Sequence, residues 1–376
     1  MGPINFRFLM VMAIIFLFSC GGDDENEMNL QDDDVSPTLG GLTMLSRQPI
    51  DGILITDVWG YLNDGREYAI IGDFSMLIEN SLIGSVTIVD VTDPTDPEIV
   101  SVISDVLGFD VKVWNNYLYI SNGAFFDEVS PSLIYDISDP ANPVEVGEFP
   151  NAHNVTIDEN GYMYLQNENI NNGLFIYDLN QSPTNPVNIW VDSEPRPGHD
   201  ATIIGNRLYD YHYDLGTIIY DISNPAEPLF LSRIDQLDIE HHCGSATEDN
   251  RILIISDETK LLNADGVDLS IWDVSDPTTP TLLTTISNDT SVAHNLVIKN
   301  GLLYVAHYDA GFLIYDIEDP SNPVLLDVFD TNALGGTGLS PVFQGAFGVY
   351  VNERTGNIYV SDIDNGLYIF SFEKPN

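Results

Sequence analysis

Residues Phe312–Pro323 read FLIYDIEDPSNP: a five-residue apolar run ends on Asp and enters an acidic turn bracketed by two prolines. The phrase recurs at Val86–Asp90 (VTIVD, then VTDPTDP), Ser132–Asp136 (SLIYD, ISDPANP), Leu174–Asp178 (LFIYD, LNQSPTNP), Thr217–Asp221 (TIIYD, ISNPAEP) and Leu269–Asp273 (LSIWD, VSDPTTP). A last copy, Leu367–Ser371 (LYIFS), lacks the turn. The final residues of successive runs stand 46, 42, 43, 52, 43 and 55 positions apart. A unit of that length made of short strands and turns matches one four-stranded propeller blade.

The unit that contains Phe312 is the most regular. It runs His294–Ile298, a turn at Lys299–Gly301, Leu302–Val305, a second turn to Gly311, Phe312–Asp316, the proline turn, and Val324–Val328. Four β-branched and aromatic runs between Gly, Asn and Pro turns predict a four-stranded meander, with strands A to D in order. In the turn after C, the first proline (Pro140, Pro225, Pro277, Pro320) presets φ. The second (Pro143, Pro228, Pro280, Pro323) opens D, where proline is tolerable because D is an edge. Asp139, Asp276 and Asp319 therefore read as turn residues, since no glycine-rich calcium-loop spacing accompanies them.

The last unit stops after strand C, with only Phe372–Asn376 remaining. Leu42–Arg47 (LTMLSR), just before the first strand A, has the pattern of a D strand and supplies the missing edge. Pairing the two ends predicts an all-β, seven-bladed propeller closed by its N-terminal strand, with no open edge in the circle.

Lys and Arg number 12 against 58 Asp and Glu, a formal charge of −46. Such a surface repels nucleic acid and anionic headgroups. Phe8–Phe18 (FLMVMAIIFLF) is an 11-residue apolar run behind Arg7, too short to span a bilayer but right for a signal-peptide core. With Leu17-Phe18-Ser19-Cys20 it resembles a bacterial lipoprotein signal, in which Cys20 becomes the lipidated N-terminus; the alternative is an ordinary secretory signal. Three regions follow: a lipoprotein signal at 1–19, an acidic disordered tether at 20–40, and the propeller at 41–376. The acidic residues after Cys20 resemble the surface-export signals of Bacteroidota lipoproteins. That resemblance implies an outer-membrane protein exposed on the cell surface, the alternative facing the periplasm. With Cys20 lipidated, Cys243 has no disulfide partner in the chain.

The repeated core of apolar residues, Tyr/Trp/Val-Asp, Ile/Val-Ser, Asp/Asn-Pro and a second Pro resembles the LVIVD-repeat family of β-propellers, across about residues 84–371. The resemblance implies an exported propeller of a kind frequent in bacteria and archaea, and brings no catalytic residue with it. The third copy departs from the pattern with Leu-Asn-Gln-Ser before Pro183, and the last lacks both Asp and turn.

Aligned on their apolar residues, the A strands place His153, His199, His242 and His294 at one position in blades 3 to 6, and Asp57, Phe109 and Phe347 at that position in blades 1, 2 and 7. Strand A is innermost, so the position rings the mouth of the central channel. His212 and His307 match each other at the end of strand B, in HYD motifs, and His241 flanks the ring. A and B run antiparallel, so all seven His fall on one face. The longer connections Gly72–Ser85, Ser121–Ser132, Ser256–Asp268 and Thr331–Gln344 lie on that face too, where function on rigid scaffolds concentrates.

Two readings of the ring remain open. Imidazoles converging on a channel mouth, with Asp57, Asp200, Asp214 and Asp309 nearby, suit a divalent transition metal such as zinc, iron, copper or nickel. A His at a repeat position also suits a hydrogen-bonded lock between blades. Cys243 reads as a packed thiol, because it points away from the face that His242 addresses. Tyr119, Tyr164, Tyr209, Tyr304 and Tyr359 recur in strand B and read as packing between sheets. Together these features predict a lipid-anchored binding or adhesion module that presents its His face to a protein, glycan or small ligand, with no nucleic-acid partner. The alternative is an exported metal-dependent hydrolase, lactonase or oxidoreductase with the His ring as ligands.

Overall fold

The computed structural model describes residues 40–52, 54–78, 81–123, 131–167, 173–192, 196–235, 239–258, 267–288, 291–333 and 344–375. The signal segment, Cys20 and nearly all of the tether lie outside them. Seven four-stranded antiparallel sheets form the molecule, each in the order A, B, C, D. No helix among the described residues is long and apolar enough to cross a membrane.

Blade 7 is assembled from both ends of the chain. Leu42–Gln48 pairs antiparallel with Gly366–Phe372, which continues to Ile358–Asp362 and Ala346–Val351. The predicted clasp is thus present and runs one residue further, to Gln48. Leu42 pairs with Phe372 and Gln48 with Leu367, so the chain enters the ring at the end where strand C finishes, opposite the His face. Buried apolar layers lie between neighbouring blades. At the closing seam Ile55, Val58 and Ile71 of blade 1 pack with Tyr359, Leu367 and Ile369 of blade 7.

The repeated Asp residues are consumed by their own turns. The side chain of the Asp ending strand C accepts the backbone N–H two residues on, at 3.0 Å in Asp90, 2.9 Å in Asp136, 2.8 Å in Asp221 and 2.9 Å in Asp273 and Asp316. The Asp before the first proline repeats the device, as Asp139 to Ala141, Asp276 to Thr278 and Asp319 to Ser321. Asx turns of this kind close the backbone locally and give the repeat its composition.

At three junctions the same turn also latches its blade to the one before it. Ser101 in strand D of blade 1 donates to the Pro140 carbonyl of blade 2 at 2.7 Å, and Ser232 of blade 4 to the Pro277 carbonyl of blade 5 at 2.5 Å. Ser46 of the clasp donates to the Pro94 carbonyl of blade 1 at 2.6 Å, closing the circle with the same bond. All three serines sit opposite the central Ile of strand C. In blade 2 that position is Gly147, where an added Cβ would lie 2.1 Å from the Thr184 carbonyl oxygen, so the turn itself packs against the strand. In blade 6 it is Asp327, opposite Ile314. Blade 7 has no proline turn to offer a carbonyl, and fully buried Asp327 instead accepts the N–H groups of Gly40 (3.2 Å) and Leu42 (3.0 Å) at the start of the clasp. Asp327→Ala should leave both donors without this acceptor and destabilise the ring by about 3 kcal/mol. Urea unfolding measures the loss, and faster amide exchange at Gly40 and Leu42 localises it; unchanged exchange there would refute the latch.

Candidate functional site

The pairing of strands A and B sets the site. Val58, Val111, Val155, Ala201, Gly244, Leu296 and Val349 are equivalent, facing Ile71, Ile120, Leu165, Asp210, Ile255, Val305 and Val360. Two residues earlier stand Thr56, Phe109, His153, His199, His242, His294 and Phe347, one per blade. The expected register therefore holds for six blades. In blade 1 the slot is Thr56 rather than Asp57, because a bulge between Ile55 and Val58 displaces the apolar alignment by one residue. Thr56 donates its hydroxyl to the Gly108 carbonyl at 2.6 Å, and Asp57 falls one level deeper.

Six aromatic rings consequently run side by side around the channel mouth. Successive centroids are 4.7 Å apart for Phe109–His153, 4.4 Å for His153–His199, 4.1 Å for His199–His242, 4.7 Å for His242–His294 and 3.9 Å for His294–Phe347. All four imidazoles are buried. Burial holds them neutral: His153 is pushed down to about 4, and His294 is lowered. His199 and His242 lie well below the usual range, where burial is reinforced by the neighbouring imidazoles.

Both readings of the ring find a physical counterpart, on different nitrogens. His199 Nδ1 meets the His242 carbonyl at 2.8 Å, and His294 Nδ1 meets the Phe347 carbonyl at 2.7 Å, each the equivalent residue of the next blade. His153 Nδ1 meets the Gly123 carbonyl at 3.1 Å. A carbonyl only accepts, so each of these Nδ1 atoms carries the proton and each neutral ring keeps its lone pair on Nε2. His242 breaks the series: the His294 carbonyl takes the Cys243 thiol at 3.0 Å, and His242 Nδ1 has no hydrogen-bond partner among the described residues.

Sequence inspection missed Glu258. Its Oε2 lies 3.2 Å from His242 Nε2, and its Oε1 lies 3.7 Å from His294 Nε2 and accepts the Tyr308 hydroxyl at 2.6 Å. One ligand atom each from His199, His242 and Glu258 lies within 4.8 Å of the other two. The signal was available in the HYD motifs. His212-Tyr213 and His307-Tyr308 mark the residues where strand B ends, and the same two positions in blade 5 read Asp257-Glu258. Tyr213 lies 4.6 Å from the His199 ring and Tyr308 5.0 Å from the His294 ring, so this second tier sits directly against the first.

The remaining candidates fall outside that cluster. Fully buried His212 engages both nitrogens, with the Pro197 carbonyl at 2.5 Å and Asp210 at 2.7 Å, while Gln166 donates to the other Asp210 oxygen at 2.6 Å. His307 faces Ser291 at 3.4 Å and Asp268 at 3.6 Å. His241 bonds Thr217 at 2.6 Å, and burial pushes it down to about 4. Asp214 and Asp309 are exposed beyond the ring. Cys243 is a buried free thiol that contacts Ser256 at 3.2 Å, and burial raises it well above the ordinary range. The strand-B tyrosines pack between blades, Tyr119 donating to the Pro183 carbonyl and Tyr209 to Asn250.

Below the ring, Lys112 reaches up the channel to Asp57 at 2.7 Å and to Asp110, with its ammonium 4.7 Å above the Trp59 ring. Asp57 is lowered: burial alone would raise it, but Lys112 outweighs that. Its carboxylate serves this ion pair rather than the ring. Burial raises Asp200 to about 7.

A profile described as the LVIVD repeat matches residues 109–150, 205–236, 264–288 and 292–331, in blades 2, 4, 5 and 6. The chain carries LVIVD repeats. No curated protein matches the LVIVD-repeat chain. Among solved structures it is similar to the β-propeller domain of Cps50 (Swd1) from Myceliophteria thermophila, with 11% identity, TM-score 0.58, and coverage of 90% of this chain and 100% of that one. The computationally designed protein Ika8 gives 9% identity, TM-score 0.53, and coverage of 87% and 100%. At these identities both likenesses concern the fold alone.

Proposed function

We propose that this LVIVD-repeat propeller is a binding module that takes its ligand at the mouth of the channel on the His face, and that lipid on Cys20 anchors it at the outer membrane, exposed to the exterior. The contrast between the two ends of the channel carries the reading. On one face the repeated carboxylates are satisfied by their own turns; on the other, neutral imidazoles, Glu258 and the aromatic side chains of Phe109, Phe347, Tyr213 and Tyr308 converge at the channel mouth. The clasp enters on the turn face, so an anchor on the tether leaves the His face pointing away from the membrane. With −46 net charge, a protein, glycan or small ligand suits this surface and nucleic acid does not.

The test of binding uses the full chain in detergent on glycan, peptide and small-molecule arrays. A ligand whose signal disappears in Phe109→Ala/Phe347→Ala, and persists when the turn face is altered by Asp139→Ala, supports the reading; a ligand insensitive to the His face overturns it. Anchoring is tested separately. Cys20→Ser should abolish palmitate labelling and release the protein from the membrane fraction, and protease added to intact cells should remove the wild-type propeller. A labelled Cys20→Ser protein would exclude lipid at this residue.

A second reading, a metal-dependent hydrolase or oxidoreductase, draws support from one observation: a carboxylate stands among neutral imidazoles with its second oxygen held by Tyr308.

A further inference from the structure

We infer that His199, His242 and Glu258 hold a divalent transition-metal ion of the zinc class, with coordination left open toward the channel mouth for a ligand's oxygen donor. The inference rests on the His face being the binding surface and names what binds there first.

The donor set has the right chemistry. Two imidazoles and one carboxylate make a three-ligand site, the composition that leaves a position for an exogenous group, whereas closed structural zinc sites take four protein ligands. Ligand atoms on a tetrahedral zinc ion stand roughly 3.3 Å apart. The Glu258–His242 pair already stands at 3.2 Å, and His199 completes the triangle within 4.8 Å.

Outer contacts fix the orientation of two ligands. His199 gives its Nδ1 proton to the His242 carbonyl, which aims Nε2 inward. Tyr308 donates to Glu258 Oε1 and leaves Oε2 beside His242. Contacts of this kind set the tautomer and rotamer of metal ligands and carry much of a site's affinity. The interblade lock thus orients the very ring that binds, so lock and ligand are two uses of one histidine. His294 stands further off, its Nε2 3.7 Å from the Glu258 oxygen that Tyr308 engages, and forms the wall.

A dication balanced by one carboxylate leaves one net positive charge at the centre. That favours an anionic oxygen donor, a carboxylate above all, as the exogenous ligand.

The experiment uses full-length protein purified without chelator, then stripped and titrated with Zn(II) and Co(II). Elemental analysis should find about one metal per chain, and Co(II) should develop the visible absorption of a low-symmetry four-coordinate site that shifts on adding acetate. Glu258→Gln and His199→Ala/His242→Ala should abolish both. Tyr308→Phe, which keeps the ring packed, should retain the metal with affinity lowered 10- to 100-fold. Asp139→Ala, on the opposite turn face, should bind as wild type, and circular dichroism reports folding for each variant. Substoichiometric metal in the wild type, or equal binding in the Glu258→Gln and double-His variants, overturns the inference. An array ligand bound by the stripped protein would overturn it while leaving the His face as the binding surface.

Discussion

Exchanging His212 for Phe is expected to destabilise the protein by about 3–5 kcal/mol, the cost of removing one partner from a buried ion pair. Asp210 and His212 are both fully buried, and the pair is completed on each side by Gln166 and the Pro197 carbonyl. The imidazole faces acceptors through both nitrogens, an arrangement that suits the protonated ring. Burial alone would lower His212, but the Asp210 carboxylate outweighs it and raises the ring above its ordinary value. The sign of the pH dependence follows. A group raised in the folded state contributes stability that is fully present below the unfolded value of about 6.5 and is lost as pH rises through the folded value. The gap between wild type and His212→Phe, read from urea midpoints, should therefore narrow from pH 7 toward pH 9. Asp210→Asn/His212→Phe should recover part of the loss by removing the stranded charge. A gap independent of pH would mean that the ring is neutral and that only its packing matters.

Acid should act in the opposite sense through the other imidazoles. His153, His199, His241, His242 and His294 are all lowered by burial. Below about pH 6.5 the unfolded chain takes up protons that the folded ring refuses, so their contribution is present above that value and falls away with acidification. Burial raises Asp110 well above the carboxylate range, Asp200 to about 7 and Asp362 to about 6, and these work against the histidines in the same window. The five histidines outnumber these three strongly raised carboxyls, so stability should fall as the pH drops from 7 to 5.5. Urea unfolding at pH 7, 6 and 5.5 measures this slope. Asp200→Asn removes one opposing carboxyl and should steepen it by about 1 kcal/mol per pH unit; stability that holds or rises from pH 7 to 5.5 would contradict the neutral ring.

The propeller was legible because its punctuation is local. Asp136 and Pro140 act through bonds that reach two or three residues along the chain, so composition alone reveals the turn, and its recurrence reveals the blade. The His register was legible for the same reason, since strand A carries it as a periodic word. Blade 1 shows the limit: apolar residues flank the bulge at Thr56–Asp57, and no sequence pattern marks which of the two keeps the slot. Glu258 was hidden for another reason. Its meaning depends on His242 and His294, which come from the inner strands of two blades, and only its register with the HYD motifs of blades 4 and 6, not any pattern of its own, marks the position. Asp327 likewise looks like an ordinary strand residue until the ends of the chain come together over it.

The clasp also has a mechanical side. Leu42–Gln48 both completes blade 7 and receives any force that arrives through the preceding residues. Its rungs run from Leu42–Phe372 to Gln48–Leu367, so a pull along the strand axis shears them together instead of peeling them singly. The Ser46–Pro94 bond carries part of that load into blade 1, and Asp327 carries part into blade 6. Tension arriving through the residues before Leu42 would therefore be shared by three blades at the ring's closure, and the channel mouth on the far face stays outside the load path until the clasp gives way.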